Sequence, residues 1–322
     1  MVKLTSCRSF VEALGTRANQ PPPTVGKDVL VVDATQLSEE DLDEVLTKAA
    51  ELNVPLLIRR YASRSGPIGR KSYTSDIISY LTHQDEAKRP ATTCQVQGAK
   101  ERNFGYKFLI KYFQSDPKSR KNILNMLDNP VEVHPDLTQA FEYPEFVARR
   151  DVTEFALDRP KNANELRDGL KNPSFRRWML ASAKGSVSGF HIDGLGFWTA
   201  VELQEGEPGS KYWFWAEQNE ENLDYLERDG QYDSVSKFTK VYAVCLDPGD
   251  LFVMNPKVIH AVVTVEDIVA LGIHFLLRET LDRSICSAKQ EYEAKHLTND
   301  KRNDGQDFYS RLLKVSLFGR SC

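Results

Sequence analysis

The sequence predicts a mainly β protein with an α/β elaboration before the β core and helices after it. Three observations predict this class. Residues 186–280 read as consecutive short strands separated by turns, which is typical of a β-sandwich or barrel. The first hundred residues alternate between strand and helix patterns, and the stretch after residue 281 is charged and helical in pattern.

Composition shifts along the chain indicate four segments. The N-terminal arm, 1–27, ends in the Pro-rich stretch NQPPPTVGKD, in which proline fixes φ and removes amide donors. Residues 28–180 form the N-terminal α/β elaboration and a substrate-side segment, 181–280 form the β core, and 281–322 form a C-terminal helical tail.

The elaboration begins with a strand pattern, VLVVD at 29–33. The next stretch, SEEDLDEVLTKAAELN, predicts a helix with Ser38 as N-cap, Asp41 at the capping-box position and acidic residues at its positive end. VPLLIRRY at 54–61 predicts a buried strand, TSDIISYLTHQ a helix, and ATTCQVQG a further strand by its β-branched alternation.

The segment from about 101 to 185 is less regular. KERNFGYKFLIKYFQSDPKSRKN interleaves basic and aromatic residues, as a nucleic-acid or histone-tail surface does. A half-buried amphipathic segment with solvated lysines is the favoured interpretation. NANELRDGLKNPSFRRWMLAS reads as helical and then extended, and the chain has no internal repeat.

The β core is predicted strand by strand. GFWTAVELQ (196–204) and KYWFWAE (211–217) are aromatic and β-branched, and the turn EGEPGS separates them. A polar helical insertion, NEENLDYLERDG, follows. The turn at 248–250 lies between the remaining strand patterns, which are KVYAVCLD, LFVMNP, VIHAVVTVED and IVALGIHFLL.

Composition excludes several classes of function. The formal charge of −4 gives no overall attraction to nucleic acid or to an anionic membrane. The five cysteines form an odd set without paired short spacings, which indicates a reducing compartment rather than a disulfide framework. The N-terminus has no apolar signal-peptide core, and no run approaches the length of a membrane span. We therefore expect an intracellular protein, cytoplasmic or nuclear.

A metal site is the first chemical hypothesis. The stretch VSGFHIDGLGFWTAV contains His191 and Asp193, but roughly one His-x-acid triplet is expected by chance at this composition. Two residues apart on a strand, the two side chains point to the same side. A non-haem iron site needs a second imidazole. His260 and His274 are the strand-borne candidates, and His83, His134 and His296 are weaker.

The same region resembles a known family. Residues 181–280 are similar to the core of JmjC-domain (cupin-type) iron(II)- and 2-oxoglutarate-dependent oxygenases. The likeness consists of four features in order: the His-x-Asp pair, GSKYW, the Pro-Gly-Asp turn followed by His260, and a closing strand that carries His274. The strand VPLLIRR is also similar to the entry strand of this family. The resemblance implies a double-stranded β-helix, the jelly-roll or cupin fold.

The resemblance also implies roles for individual residues. His191, Asp193 and His260 would hold iron(II) as a facial triad. Lys211 would pair with the distal carboxylate of 2-oxoglutarate, and Ser188 would hydrogen-bond the same carboxylate. Without the family match, Lys211 reads as a solvent-facing residue that begins a strand, and Ser188 as an ordinary strand hydroxyl.

Three further residues are assigned to the cofactor pocket. Thr199 and Trp213 would form its wall, although aromatic stripes in strands are more often plain core. His274 stands where the family often has a small polar residue, so it is a cofactor contact or a satisfied core histidine.

The implied activity uses iron(II), 2-oxoglutarate and O2 and gives succinate and CO2. We expect a hydroxylase of a protein, an RNA or a small molecule, because no cysteine cluster indicates the zinc modules that demethylases of this family generally carry. The alternatives are a histone or protein lysine demethylase and a non-catalytic cupin-fold binding module. No membrane and no strong nucleic-acid signal is expected. The stretch AKQEYEAKHLTND predicts C-terminal helices that either form a homodimer or cap the barrel.

Overall fold

The computed structural model describes residues 4–19, 22–61, 78, 81–82, 85–86, 92–97, 101–130, 144–153, 177–203 and 211–293. Within these residues the protein is mainly β, as the sequence predicts. Most of TSDIISYLTHQ, the turn EGEPGS and the start of NANELRDGLKNPSFRRWMLAS lie outside the described residues.

The described helices are α1 (Leu4–Arg17), α2 (Glu39–Leu52), α3 (Tyr106–Gln114), α4 (Glu145–Ala148), α5 (Glu220–Asp233) and α6 (Leu281–Glu293). The described strands are β1 (Leu30–Asp33), β2 (Leu56–Arg59), β3 (Thr92–Val96), β4 (Arg102–Phe104), β5 (Leu124–Pro130), β6 (Arg177–Ser182), β7 (Val187–His191), β8 (Trp198–Leu203), β9 (Lys211–Ala216), β10 (Val241–Leu246), β11 (Leu251–Met254), β12 (His260–Thr264) and β13 (Ile268–Phe275).

These strands form two sheets. The larger sheet has the order β1-β2-β11-β8-β13-β6-β5-β3-β4, and the smaller has the order β10-β9-β12-β7. Apart from the parallel pair β1–β2, the ladders are antiparallel. Strands β6, β13, β8 and β11 of the larger sheet, together with the smaller sheet, form the jelly-roll core that the family resemblance implies.

The two sheets bury an aromatic core between them. Trp213, Trp215 and Val262 of the smaller sheet form one cluster with Val201 and Phe252 of the larger sheet. Period-2 alternation along β9 places Lys211 on the same inner face as Trp213 and Trp215. A charged residue thus lies inside an otherwise apolar layer.

Helices cover the two outer faces. α2 and α3 pack on the larger sheet through a cluster that includes Leu42, Leu46 and Leu109. α1 and α5 pack on the smaller sheet through Phe10 and Leu226. The result is four layers, in which helices cover part of the outer face of each sheet.

Local rules account for the helices that frame the sheets. Ser38 and Asp41 form the reciprocal capping box at the start of α2, as predicted. In α3, Tyr106, Leu109, Tyr112 and Phe113 are buried, whereas Lys107 is exposed. The basic and aromatic stretch therefore forms an amphipathic helix.

No described helix is long and apolar enough to cross a membrane.

Candidate metal and anion site

The structure brings His191, Asp193 and His260 together at one end of the smaller sheet. His191 ends β7 and His260 begins β12, and these two residues are paired across the ladder. The nearest Asp193 carboxylate oxygen lies 3.9 Å from His191 Nε2 and 3.6 Å from His260 Nε2. The three ligand atoms lie within 4.8 Å of one another, which is a spacing that one metal ion can bridge.

Asp193 does not lie on a strand, so the expectation of two strand residues on one face is wrong. β7 ends at His191, and Asp193 precedes a 3-10 turn, Gly194–Gly196. Leu195 has a φ of 65° and Gly196 a φ of 67°, so the chain reverses sharply. The turn, rather than strand periodicity, directs the Asp193 carboxylate toward the two imidazoles.

Main-chain hydrogen bonds orient both imidazoles. His191 Nδ1 lies 2.7 Å from the carbonyl oxygen of Gly189, and His260 Nδ1 lies 3.0 Å from that of Val258. A carbonyl oxygen accepts only, so each Nδ1 is the donor in its bond, and each Nε2 is the ring nitrogen left for a metal ion. Both Nε2 atoms face Asp193, which is the arrangement that metal coordination requires.

The electrostatics of the cluster also suit a cation. Burial, and to a lesser extent the neighbouring His260, lower the pKa of His191 to about 4. Burial by itself raises the pKa of Asp193, but His260, His274 and His191 together outweigh it and hold that pKa below its ordinary value. At neutral pH the cluster therefore offers a neutral His191 imidazole and an ionised Asp193 carboxylate.

A second layer of polar groups holds the carboxylate. Thr199 Oγ1 donates to the second Asp193 oxygen at 2.6 Å and lies 3.1 Å from His274 Nδ1. Thr199 and His274 are paired across β8 and β13, and both point inward. His274 also stacks with Phe197. The structure thus places Thr199 and His274 behind Asp193.

Lys211 is buried, with 2% of its surface exposed. Within the part of the chain that the structure describes, its ammonium donates to Ser182 Oγ at 3.1 Å. Burial lowers the pKa of Lys211 to about 7. Burying an ammonium beside a neutral hydroxyl is costly unless an anion joins it. The site therefore fits an anionic group next to Lys211.

Sequence reasoning missed two residues of this polar group. Ser182 on β6 accepts from Lys211 and donates to Asn125 Oδ1 on β5 at 2.7 Å. Both residues are buried, and they are paired across the ladder. In the sequence, each appears only as a polar residue within a strand pattern. Such a residue can be recognised as part of a site only when the strand pairing is known.

The remaining predicted residues line the space between the sheets. Ser188 on β7 is paired with Val262, which lies two residues after His260 on β12. A bulge in β7 keeps both Ser188 and His191 on the inner side of the sheet. Trp213 stacks on His260, with ring centroids 5.6 Å apart. The alternative histidines, His83, His134 and His296, lie outside the described residues.

The Pro-Gly-Asp turn has a structural role. Asp250 is buried, forms an ion pair with Arg59 on β2 and accepts a hydrogen bond of 3.0 Å from the Arg60 amide. Gly249 has a φ of 86°, and its amide donates to the Leu203 carbonyl. The motif therefore joins β2, β8 and β11, and these contacts lie in the scaffold.

The chain is similar to known proteins that are named for a JmjC domain. No family model matches it. It is 30% identical over 181 residues to a protein of Debaryomyces hansenii named JmjC domain-containing histone demethylation protein 1, over 51% of this chain and 33% of that relative. Proteins of the same name match at 24% identity in Candida glabrata, over 70% of this chain, and at 26% in Candida albicans, over 72%.

The matched region is a fraction of each relative. The chain spans 33%, 54% and 51% of the three relatives, respectively. The likeness agrees with the motif order in the sequence and with the jelly-roll core and buried His-Asp-His cluster in the structure. On these grounds, the three relatives and the motif order support a JmjC-domain family for this chain.

Proposed function

We propose that this chain is an iron(II)- and 2-oxoglutarate-dependent oxygenase. The observation that carries the proposal is the pairing of two features in one inter-sheet space: a buried His-Asp-His cluster and a buried lysine without an anion among its described partners. A metal site alone fits many functions. A metal site beside a buried lysine fits a dicarboxylate that contacts the metal at one end and the lysine at the other.

The residues divide the work between two ligands. His191, Asp193 and His260 would hold the iron, and a facial triad leaves the opposite coordination positions open for the co-substrate and oxygen. Lys211 would neutralise the distal carboxylate of 2-oxoglutarate, with Ser188 on the same inner side. When bound, iron(II) and 2-oxoglutarate supply oxidation of a substrate C–H bond by O2, with release of succinate and CO2.

The side chains around the site orient the metal ligands and exclude water. Thr199 holds the Asp193 carboxylate, and Trp213 shields one face of His260. The aromatic cluster between the sheets removes bulk water from this space, which strengthens every charge interaction inside it.

Within this class, we favour removal of an N-methyl group from a histone lysine. Hydroxylation of the methyl carbon gives an unstable carbinolamine, which releases formaldehyde and leaves N–H. The support is that the three relatives are named for histone demethylation. The expectation of a plain hydroxylase depended on the absence of a cysteine cluster from this chain. That absence does not exclude demethylation, because the chain matches only part of each relative. The proposal places the chain in the nucleus.

The experiment is a product assay with methylated core-histone peptides, iron(II), 2-oxoglutarate and ascorbate. Demethylation predicts formaldehyde and peptide that has lost methyl groups, in step with succinate. Peptide that gains one oxygen atom would instead support stable hydroxylation. Succinate formation without any change in the histone peptides would reject the histone substrate, and His260→Ala serves as the inactive control.

A further inference from the structure

The turn that follows Asp193 is held by the C-terminal helix. Glu291, near the end of α6, is 6% exposed. One of its carboxylate oxygens accepts from the Leu195 amide, and the other accepts from the Gly196 amide at 3.0 Å. Ser287 Oγ, one helical turn earlier, lies 3.3 Å from the latter oxygen. A buried carboxylate therefore clamps two consecutive amides of the metal-site turn.

This turn needs an external support. Leu195 adopts a left-handed φ of 65°, which residues with a side chain rarely adopt. Gly196 presses against α6 so closely that a β-carbon there would lie 2.1 Å from the Ser284 carbonyl oxygen. The turn is thus packed directly against the helix.

The same C-terminal segment holds the other end of the turn. Trp198 Nε1, at the start of β8, donates to Thr280 Oγ1 at 2.8 Å, and both side chains are buried. Glu291 and Thr280 therefore bracket residues 194–198. Charge-assisted bonds to backbone amides are stronger than neutral ones, so Glu291 makes the firmer of the two attachments.

We propose that Glu291 is a positioning residue for the metal centre. Thr199 fixes the side chain of Asp193, and Glu291 fixes the backbone that follows it. Without the Glu291 carboxylate, two buried amides lose their acceptor and the strained turn relaxes, which moves Asp193 away from His191 and His260. This inference rests on the proposed function because it concerns the same metal cluster.

The test compares Glu291→Gln and Glu291→Ala with Glu293→Gln, an exposed carboxylate two residues away on α6. Cobalt(II), which is visible by absorbance, is the metal probe. We expect Glu291→Ala to weaken cobalt affinity by about 10- to 100-fold, the range for lost partners of metal ligands. Glu291→Gln should lose less, because its amide oxygen still accepts one bond. Glu293→Gln should match the wild type.

A second readout needs no metal. Amide hydrogen exchange of the peptide covering 194–197 should accelerate in both Glu291 variants and stay unchanged in Glu293→Gln. Unchanged exchange in Glu291→Gln, or accelerated exchange with wild-type cobalt affinity, would overturn the inference. A wild-type protein that binds no cobalt would contradict the proposed function instead, and the exchange comparison would still decide whether Glu291 holds the turn.

Discussion

Lys211 shows how burial sets the chemistry of a single residue in this fold. Its ammonium lies between the sheets beside Ser182, and burial lowers its pKa to about 7. An anion binds a protonated lysine and not a neutral one. Under the proposed function, the affinity of the site for 2-oxoglutarate would therefore depend on pH in the neutral range, where most lysines stay protonated.

We predict that 2-oxoglutarate binding to the metal-loaded protein weakens as pH rises above about 7, by at most about 10-fold per pH unit. Calorimetric titration between mildly acidic and mildly alkaline pH measures this. Lys211→Arg is the matched control, because arginine keeps its charge over the whole range. An affinity of the wild type that does not change with pH would show that Lys211 does not meet the anion.

The same pKa predicts how stability depends on pH. Folding lowers the pKa of Lys211 from about 10.5 to about 7, so between these values the unfolded chain binds more protons than the folded one. The contribution of Lys211 to the free energy of unfolding should therefore rise with pH across this window, by at most about 1.4 kcal/mol per pH unit. Urea unfolding of the ligand-free wild type and Lys211→Met measures it, and identical pH slopes would refute it.

The sequence predicted the site unevenly, for physical reasons that differ from residue to residue. His191, Asp193, His260 and Lys211 could be found because short motifs carry them. Ser182 could not be found, because its role depends on the packing of one sheet on the other, which brings it to Lys211 from 29 positions away.

At the scale of elements, the Asp250 carboxylate fastens β2 to the turn that precedes β11. Its carboxylate accepts from Arg59 and from the amides of Arg60 and Asp247. Such a buried acceptor leaves several donors without a partner when it is removed.

We predict that Asp250→Ala lowers the free energy of unfolding by about 3 kcal/mol, the lower end for breaking a buried ion pair, because Arg59 is partly exposed. Glu266→Ala, which breaks an exposed pair with Lys184, should cost less than about 1 kcal/mol. Urea unfolding measures both. Equal costs would mean that Asp250 does not fasten β2 to β11.

Gly272 on β13 gives a second test at this scale. A β-carbon at this position would lie 2.1 Å from the Trp178 ring. Gly272→Ala should therefore cost about 1–3 kcal/mol through overpacking. Gly15→Ala in α1, where nothing lies within 4 Å, should be neutral or stabilising by up to about 1 kcal/mol. Thermal unfolding compares the two, and a neutral Gly272→Ala would show that Trp178 moves freely.

Elements with strong local signals could be predicted from the sequence. The capping box of α2 and the alternation of β9 are local, and both elements formed where expected. β5 could not be predicted, because its sequence LNMLDNP lacks regular alternation and contains three polar residues. One of them, Asn125, is buried as a partner of Ser182 rather than exposed.

At the scale of the whole molecule, the two sheets create the space in which the metal cluster and Lys211 lie. The N-terminal strands β1 and β2 extend the larger sheet beside β11, some 190 residues later in the chain. No local pattern predicts that pairing, because it joins segments that are far apart in the sequence. The jelly-roll class could be predicted from the order of the strands and motifs.

Under the proposed function, one inter-sheet space binds iron(II) through His191, Asp193 and His260 and 2-oxoglutarate through Lys211. Anaerobic absorbance during titration with iron(II) and then 2-oxoglutarate tests it most directly. We predict a visible charge-transfer band that needs both additions, is absent in His260→Ala and requires more 2-oxoglutarate in Lys211→Ala. A folded wild-type protein that takes up iron and shows no band with 2-oxoglutarate would contradict the claim and favour a binding module.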